Sequence, residues 1–374
     1  MIKNRIQLLL LLTVLSSFTS ALTYGQDSHE GLTVLKSEGD RAQYKINDQW
    51  FINRWRISPS EANDVLSVPV FDSKEQIDFV FKTDVDSIKF TLKDKESKSF
   101  YVLLKDQYAK TTINRKAIVL DELKFDTKKS NPDYKIIYDT QNQYLDSLKK
   151  LYPIAYDKKQ KNIDKVIAIL DWTHNQWKHD GTKSPSKSDA ITILNEVKEG
   201  GRFPCFSYAI VLASQLRIAG FKSRVLYIKR KDIETSQESG GHVVTEVYLN
   251  DLKKWVYVDG QLNIMPTLKG IPLNAVEFQE AIRNHYSALE LRSLGKISKK
   301  DCITFTYPYL YYFDCAFDQR DKQGIEVKKV NGKRSLMLVP LGAKNPTLMF
   351  SYGSAKIDHC IYTNSIQDFY AKPE

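Results

Sequence analysis

The sequence predicts an α+β protein in which β-rich and helical stretches follow one another along the chain. Three observations predict it. Short β-branched and aromatic runs recur at roughly ten-residue spacing up to about residue 130. From about 133 apolar residues fall at three- and four-residue steps instead. Beyond Gly220 the alternation of strands returns. A chain of 374 residues, 42% hydrophobic and 11% aromatic, has the length for two or three folded units.

The first 25 residues read as a secretory leader. Lys3 and Arg5 supply the positive start, Ile6 to Leu15 the apolar run, and Thr19-x-Ala21 and Thr23-x-Gly25 both fit a cleavage site. The run is short for a membrane span, so the expectation is a periplasmic or extracellular protein with no span after leader removal. Residues 26–130 form the β-rich N-terminal domain, with expected strands at Gln49–Ile52, Ile77–Phe81, Ser87–Leu92 and Ser99–Leu104, curled as a small sandwich-like sheet.

Residues 131–295 form the core. Asn162 to Lys178 places Ile163, Val166, Ile167, Leu170 and Trp177 on one face of a helix, which Gly181 stops. Ser188 to Lys198 makes a second helix. A third opens with Pro204 in its first position, runs amphipathically through Phe206, Ala209, Ile210, Ala213 and Leu216, and stops at Gly220. Phe221–Ile228, His242–Leu249 and Trp255–Leu262 then read as strands. Residues 296–374 look β-rich, with a hairpin turning on Asn331-Gly332.

The net charge of +10 is spread over short mixed runs such as Lys229-Arg230-Lys231-Asp232, the mark of a solvated surface. Neither a zinc-ligand spacing nor a phosphate-cradling glycine loop accompanies it, so nucleic acid, metal and cofactor are not expected. Of four cysteines, Cys302, Cys315 and Cys360 read as buried small hydrophobes or as one structural bridge with a thiol left over.

Cys205 is different. It falls in the first turn of the third helix, where unpaired N–H groups and the positive end of the dipole favour a thiolate and a developing oxyanion. His242 opens a strand after Gly240-Gly241, which lets the backbone pass close to a neighbour. Trp255, Tyr257 and Asp259 share one face of the next strand, and a hairpin centred on Asn250 and Asp251 sets Asp259 opposite His242. A thiol, an imidazole and an orienting carboxylate are the parts of nucleophilic acyl transfer. His174 and His179 lack that glycine-lined approach and carboxylate strand, and Glu246, on the His242 face, reads as a cleft-wall residue or half of an ion pair.

The runs Gly201-Arg202-Phe203-Pro204-Cys205-Phe206-Ser207-Tyr208-Ala209, Gly241-His242-Val243-Val244-Thr245-Glu246 and Trp255-Val256-Tyr257-Val258-Asp259-Gly260 resemble the transglutaminase-like superfamily over roughly residues 150 to 280. The resemblance implies a papain-like core, with the thiol on a helix facing an antiparallel sheet, and makes Cys205 the nucleophile, His242 the general base and acid, and Asp259 the orienting group. Pro204 stands where family members often carry glycine or a polar residue. Trp177 is the candidate oxyanion or cleft residue and Gln261 a second cleft residue. The implied activity is amide chemistry through an acyl-enzyme, as a cysteine protease or amidase ahead of a cross-linking enzyme, on a protein or peptide substrate such as cell-wall peptide. The alternative is a non-catalytic binding or scaffold protein that uses the same core.

Overall fold

The computed structural model describes the backbone of eight strands between Val34 and Leu120. It also describes residues 122–374, apart from 129–133, 158, 237–238, 294, 296 and 322–325, and Ser293 by backbone alone. The expected leader lies outside the described residues. The chain divides into two units, Met1–Glu122 and Leu123–Glu374.

In the first unit the strands are β1 Val34–Glu38, β2 Arg41–Ile46, β3 Gln49–Asn53, β4 Asp64–Pro69, β5 Gln76–Phe81, β6 Ser87–Leu92, β7 Lys98–Ala109 and β8 Thr112–Leu120. Six of them form one sheet in the order β3-β2-β1-β6-β7-β8, while β4 and β5 pair as a separate hairpin. All four runs expected from sequence fall on strands here.

The second unit is α+β and carries the candidate site. Its early helices are α1 Gln143–Leu151, α2 Asn162–His174, α3 Ala190–Lys198 and α4 Cys205–Ile218. A six-stranded sheet follows the order β11-β10-β9-β15-β16-β19, with β9 Ser223–Lys229, β10 Gly241–Leu249, β11 Lys254–Val258, β15 Tyr312–Ala316, β16 Ser335–Leu338 and β19 Cys360–Thr363. Strands β12 Ile264–Leu268, β13 Ile271–Pro272 and β14 Leu289–Ser293 form a smaller sheet.

Helix α2 ends at His174, short of the expected Lys178. The reason is local: the side-chain amides of Asn175 and Gln176 donate to the carbonyls of Asp171 and Trp172, at 2.8 and 2.7 Å. These side chains cover two carbonyls of the last turn as the chain leaves the helix. Helix α4 is central rather than amphipathic. Its residues from Val211 to Arg217 are all buried, between α2, α3 and the sheet. Two of its polar members reach partners: Gln215 donates to Tyr152 O, and Arg217 pairs with Asp321 at 2.7 Å. Gly220, at φ +89°, closes the helix as expected, with the Phe221 N–H returning to Leu216 O.

The hairpin register differs from the expected one. Leu249 pairs with Lys254 and Thr245 with Val258, so the loop holds four residues, with Lys253 at φ +52°. A two-residue turn on Asn250-Asp251 would have set the pairing two residues away. Because the side-chain period is two, that difference preserves every face. Strand β11 also stops at Val258 rather than continuing to Leu262.

Beyond residue 296 the chain is not β-rich at its start. Helix α6, Lys299–Thr306, comes first, capped by Ser298, whose hydroxyl accepts from the Asp301 N–H at 3.0 Å and donates to its carboxylate at 2.6 Å. The reciprocal Ser298–Asp301 spacing is a helix-start signal that the strand reading passed over. Strands β15, β16 and β19 then extend the core sheet from the β9 edge. The Asn331-Gly332 turn forms as expected, with both residues at positive φ. Its upstream arm is reduced to a single bridge between Val330 and Lys333.

The sheet face opposite α4 is held by a buried charge cluster. Arg224 donates through Nε and Nη2 to Glu246 Oε2, at 2.9 and 2.6 Å, and through Nη1 to Phe369 O at 2.8 Å. Glu246 Oε1 accepts from the Ala275 N–H at the start of α5 (Ala275–Asn284) and from Tyr370 OH. Glu246 is thus half of an ion pair that ties β9 and β10 to the C-terminal segment. Glu246→Ala leaves Arg224 buried and unpaired, and chemical denaturation should show a loss of about 3–5 kcal/mol.

Candidate active site

The thiol is positioned by the loop that precedes its helix. Pro204 is the cap rather than the first helical residue: its ψ of −178° is extended, Cys205 begins the helix, and the Ser207 N–H donates to Pro204 O at 3.0 Å. No side chain caps α4, so its first turn keeps amides available to a ligand beside a partly exposed Cys205. Two residues earlier, Phe203 O accepts from Trp177 Nε1 at 3.1 Å and from the Asp180 N–H at 3.2 Å. Trp177 is buried, stacks on Tyr208 with centroids 4.1 Å apart, and takes the Tyr208 hydroxyl on its own carbonyl at 2.9 Å. Its indole N–H is therefore spent on the loop that carries Cys205.

His242 and Asp259 meet. Nε2 of the ring lies 2.7 Å from Asp259 Oδ2, and both side chains are buried. The carboxylate is held on all sides. Its Oδ1 accepts from the Gln261 and Leu262 N–H groups at 2.9 and 3.1 Å, and its Oδ2 also takes Tyr257 OH at 3.3 Å. Those two amide bonds turn the chain at Gly260 and end β11, and Asn263 at φ +55° completes the turn. The turn packs tightly on α4: a Cβ on Gly260 would lie 3.2 Å from Tyr208 Cβ, while Gly260 O accepts from His174 Nδ1 at 3.1 Å. His174 is thus a brace for the turn. Pairing of β10 with β11 begins only at Thr245, which leaves His242 unpaired on that edge. The expected close approach of the glycines is present too, since a Cβ on Gly240 would lie 2.8 Å from Met349 Cγ. Gln261 sits in the turn, not on the strand, with Oε1 buried and without a hydrogen-bond partner among the described residues.

Burial is the largest influence on the His242 ring and opposes its charge. The Asp259 charge and hydrogen bond, with the hydrogen bond to Cys205, outweigh it and raise the ring to about 10. With Nε2 facing Asp259, Nδ1 is the nitrogen left for the sulfur. The acid therefore holds the ring in its imidazolium form across the neutral range.

Residues that sequence reasoning did not find close the site. Phe305, in α6, meets the His242 ring edge-on with centroids 5.1 Å apart, and Tyr309, in the single 3-10 turn after it, lies at 6.0 Å. Cys302 in the same helix is driven upward by burial and then by the charge of Asp259. No motif marks these residues, since an aromatic at helical spacing reads as core. His179 stands on the loop beside the pair, lowered first by partial desolvation and then by the His242 charge.

All four cysteines are free, and Cys302, Cys315 and Cys360 are buried, with the Cys315 sulfur accepting from Arg224 Nη1 at 3.8 Å. Among the described residues one grouping could hold a metal ion: donor atoms of Asp314, His359 and Cys360 lie within 4.8 Å of one another. Asp314 there is already ion-paired with the buried Lys229.

The folded His242 ring keeps its proton to about pH 10, against 6.5 for an unperturbed one. The His242–Asp259 pair therefore stabilises the fold fully below pH 6.5 and loses that contribution as pH rises through 10. Unfolding free energies should show Asp259→Asn costing about 3–5 kcal/mol at pH 6, and less as pH approaches 10.

Residues 153–260 match the Transglutaminase-like superfamily. No curated protein sequence matches the chain. Similar solved structures include a candidate cysteine protease from Cytophaga hutchinsonii, 14% identical, which covers 53% of this chain and 77% of that one at a TM-score of 0.28. A candidate protease from Parabacteroides distasonis is 10% identical, with 61% and 65% covered and a TM-score of 0.23. A TGase is 12% identical, with 66% and 76% covered and a TM-score of 0.21. The segment that holds the helix of Cys205 and the strands of His242 and Asp259 is a transglutaminase-like core.

Proposed function

We propose that the protein is an exported thiol enzyme that acts on amide bonds of a protein or peptide through an acyl-enzyme on Cys205. The observation that carries this reading is the buried 2.7 Å contact between His242 and Asp259, with a partly exposed Cys205 at the uncapped start of the helix that packs on the His242 strand through Thr245 and Ala209. A sulfur at an uncapped helix N-terminus, with an imidazole held by a carboxylate on the neighbouring strands, has the parts that nucleophilic acyl transfer uses.

In the first step Cys205 Sγ attacks the carbonyl carbon, and the new S–C bond leaves negative charge on oxygen, where the uncapped first-turn amides of α4 can receive it. His242 then gives its proton to the departing nitrogen, the C–N bond breaks, and a thioester remains. A water molecule, losing a proton to His242, attacks the thioester carbon; the S–C bond breaks, the acid leaves, and the sulfur and a protonated His242 return to their starting state. An amine in place of water gives transfer. We place hydrolysis first because Cys205 is partly exposed to solvent. Trp177 takes the role of a positioning residue for the loop that leads into Cys205, its N–H being committed to Phe203 O. The leader expected in residues 1–25 would carry the chain out of the cell. Among the described residues no helix is long and apolar enough to cross a membrane.

Cys205→Ala should lower turnover of peptide amides by about a thousandfold or more, with its thermal unfolding profile retained. Ammonia release without incorporation of an amine probe marks hydrolysis. Incorporation marks transfer, and neither product refutes both. Because His242 must be protonated to release the amine, kcat should persist on the alkaline side until about pH 10. Asp259→Asn should pull that limb to lower pH.

A further inference from the structure

We infer that Phe305 and Tyr309 form the specificity wall of the site and receive an aromatic or bulky aliphatic side chain next to the scissile carbonyl of a peptide. This inference rests on the thiol-enzyme reading above and names its substrate class. Both rings face His242 and also contact one another, edge to face, with centroids 5.8 Å apart. Neither is fully buried, whereas the imidazole they touch is only 2% exposed. Two partly exposed rings against a buried working group form a wall that an incoming ligand meets first.

The wall is fixed in place. Helix α6 buries Cys302, Ile303 and Thr306, and its Ser298–Asp301 cap sets where it begins. The following turn is tied to β9 through the Tyr311 N–H, which donates to Lys229 O at 3.3 Å. Tyr227, an aromatic side chain of that same strand, is 39% exposed.

Two further observations favour an apolar partner over a polar one. Asp259, the carboxylate behind the ring, already accepts from four protein donors and has no acceptor to offer a sugar or amide. The contacts that Phe305 and Tyr309 make with the ring are aromatic, and such surfaces gain from burying hydrocarbon. The wall also stands outside residues 153–260, the part shared with the superfamily. The matched segment supplies the chemical groups, and the residues after it supply the surface beside them.

The test uses the full chain and two thiol-directed peptidyl vinyl sulfones, identical except for phenylalanine or glycine at the position next to the electrophile. Their second-order rates of inactivation are compared within each variant, so a general change in thiol reactivity cancels. Wild type should prefer the phenylalanine probe by about ten- to a hundredfold, in keeping with what a pocket gains from a large apolar group. Phe305→Ala should reduce that ratio toward one. Tyr309→Ala, made separately, should reduce it in the same direction should the first variant fail to fold. Equal rates with both probes in wild type, or an unchanged ratio in a folded variant, overturn the wall. A Cys205 that iodoacetamide does not alkylate in the native wild type overturns the thiol reading and the wall together, which distinguishes that failure from loss of the wall alone.

Discussion

The contact between His242 and Asp259 is the constraint around which the core is arranged. A carboxylate and an imidazole buried side by side are costly to desolvate, and they persist only when the charges face each other and every remaining lone pair has a donor. The structure meets both conditions. Asp259 takes two backbone amides on one oxygen and the ring with a tyrosine on the other. The same two amides turn the chain at Gly260, so the bonds that satisfy the acid also end its strand and free the edge of β10 at His242.

From that turn the rest follows outward. Gly260 has no side chain because Tyr208 of the nucleophile helix lies against it, and His174 of α2 holds its carbonyl. Tyr208 stacks on Trp177, and Trp177 grips the carbonyl two residues before Cys205. The acid strand and the thiol loop are thus linked through one chain of contacts, which fixes the relative position of groups far apart in sequence. On the sheet face away from α4, Arg224 and Glu246 bind the C-terminal segment and give β9 and β10 a second anchor.

Much of this was legible in the residues themselves. The step of three and four apolar positions placed α3 and α4, and Gly220 marked the end of α4 because only a residue at ease with positive φ closes a helix that way. The faces of β10 and β11 were legible although their register was not, since a two-residue change leaves parity intact. The loop length was hidden because nothing in Asn250-Asp251-Leu252-Lys253 announces that Lys253 takes a left-handed conformation. Trp177 was legible as important but not in its role, which depends on where a carbonyl 26 residues away comes to rest. Phe305 and Tyr309 were hidden altogether. Their part in the site comes from tertiary packing against His242 and leaves no local pattern.

The most direct test of the central claim is nitrogen-15 NMR of the His242 ring in the native chain, followed against pH and assigned with His242→Gln. Both ring nitrogens should be protonated at neutral pH and should titrate together near 10. A ring that is already neutral at pH 7.5, or that titrates close to 6.5, would show that acid and imidazole do not share a proton-holding pair and would contradict the account.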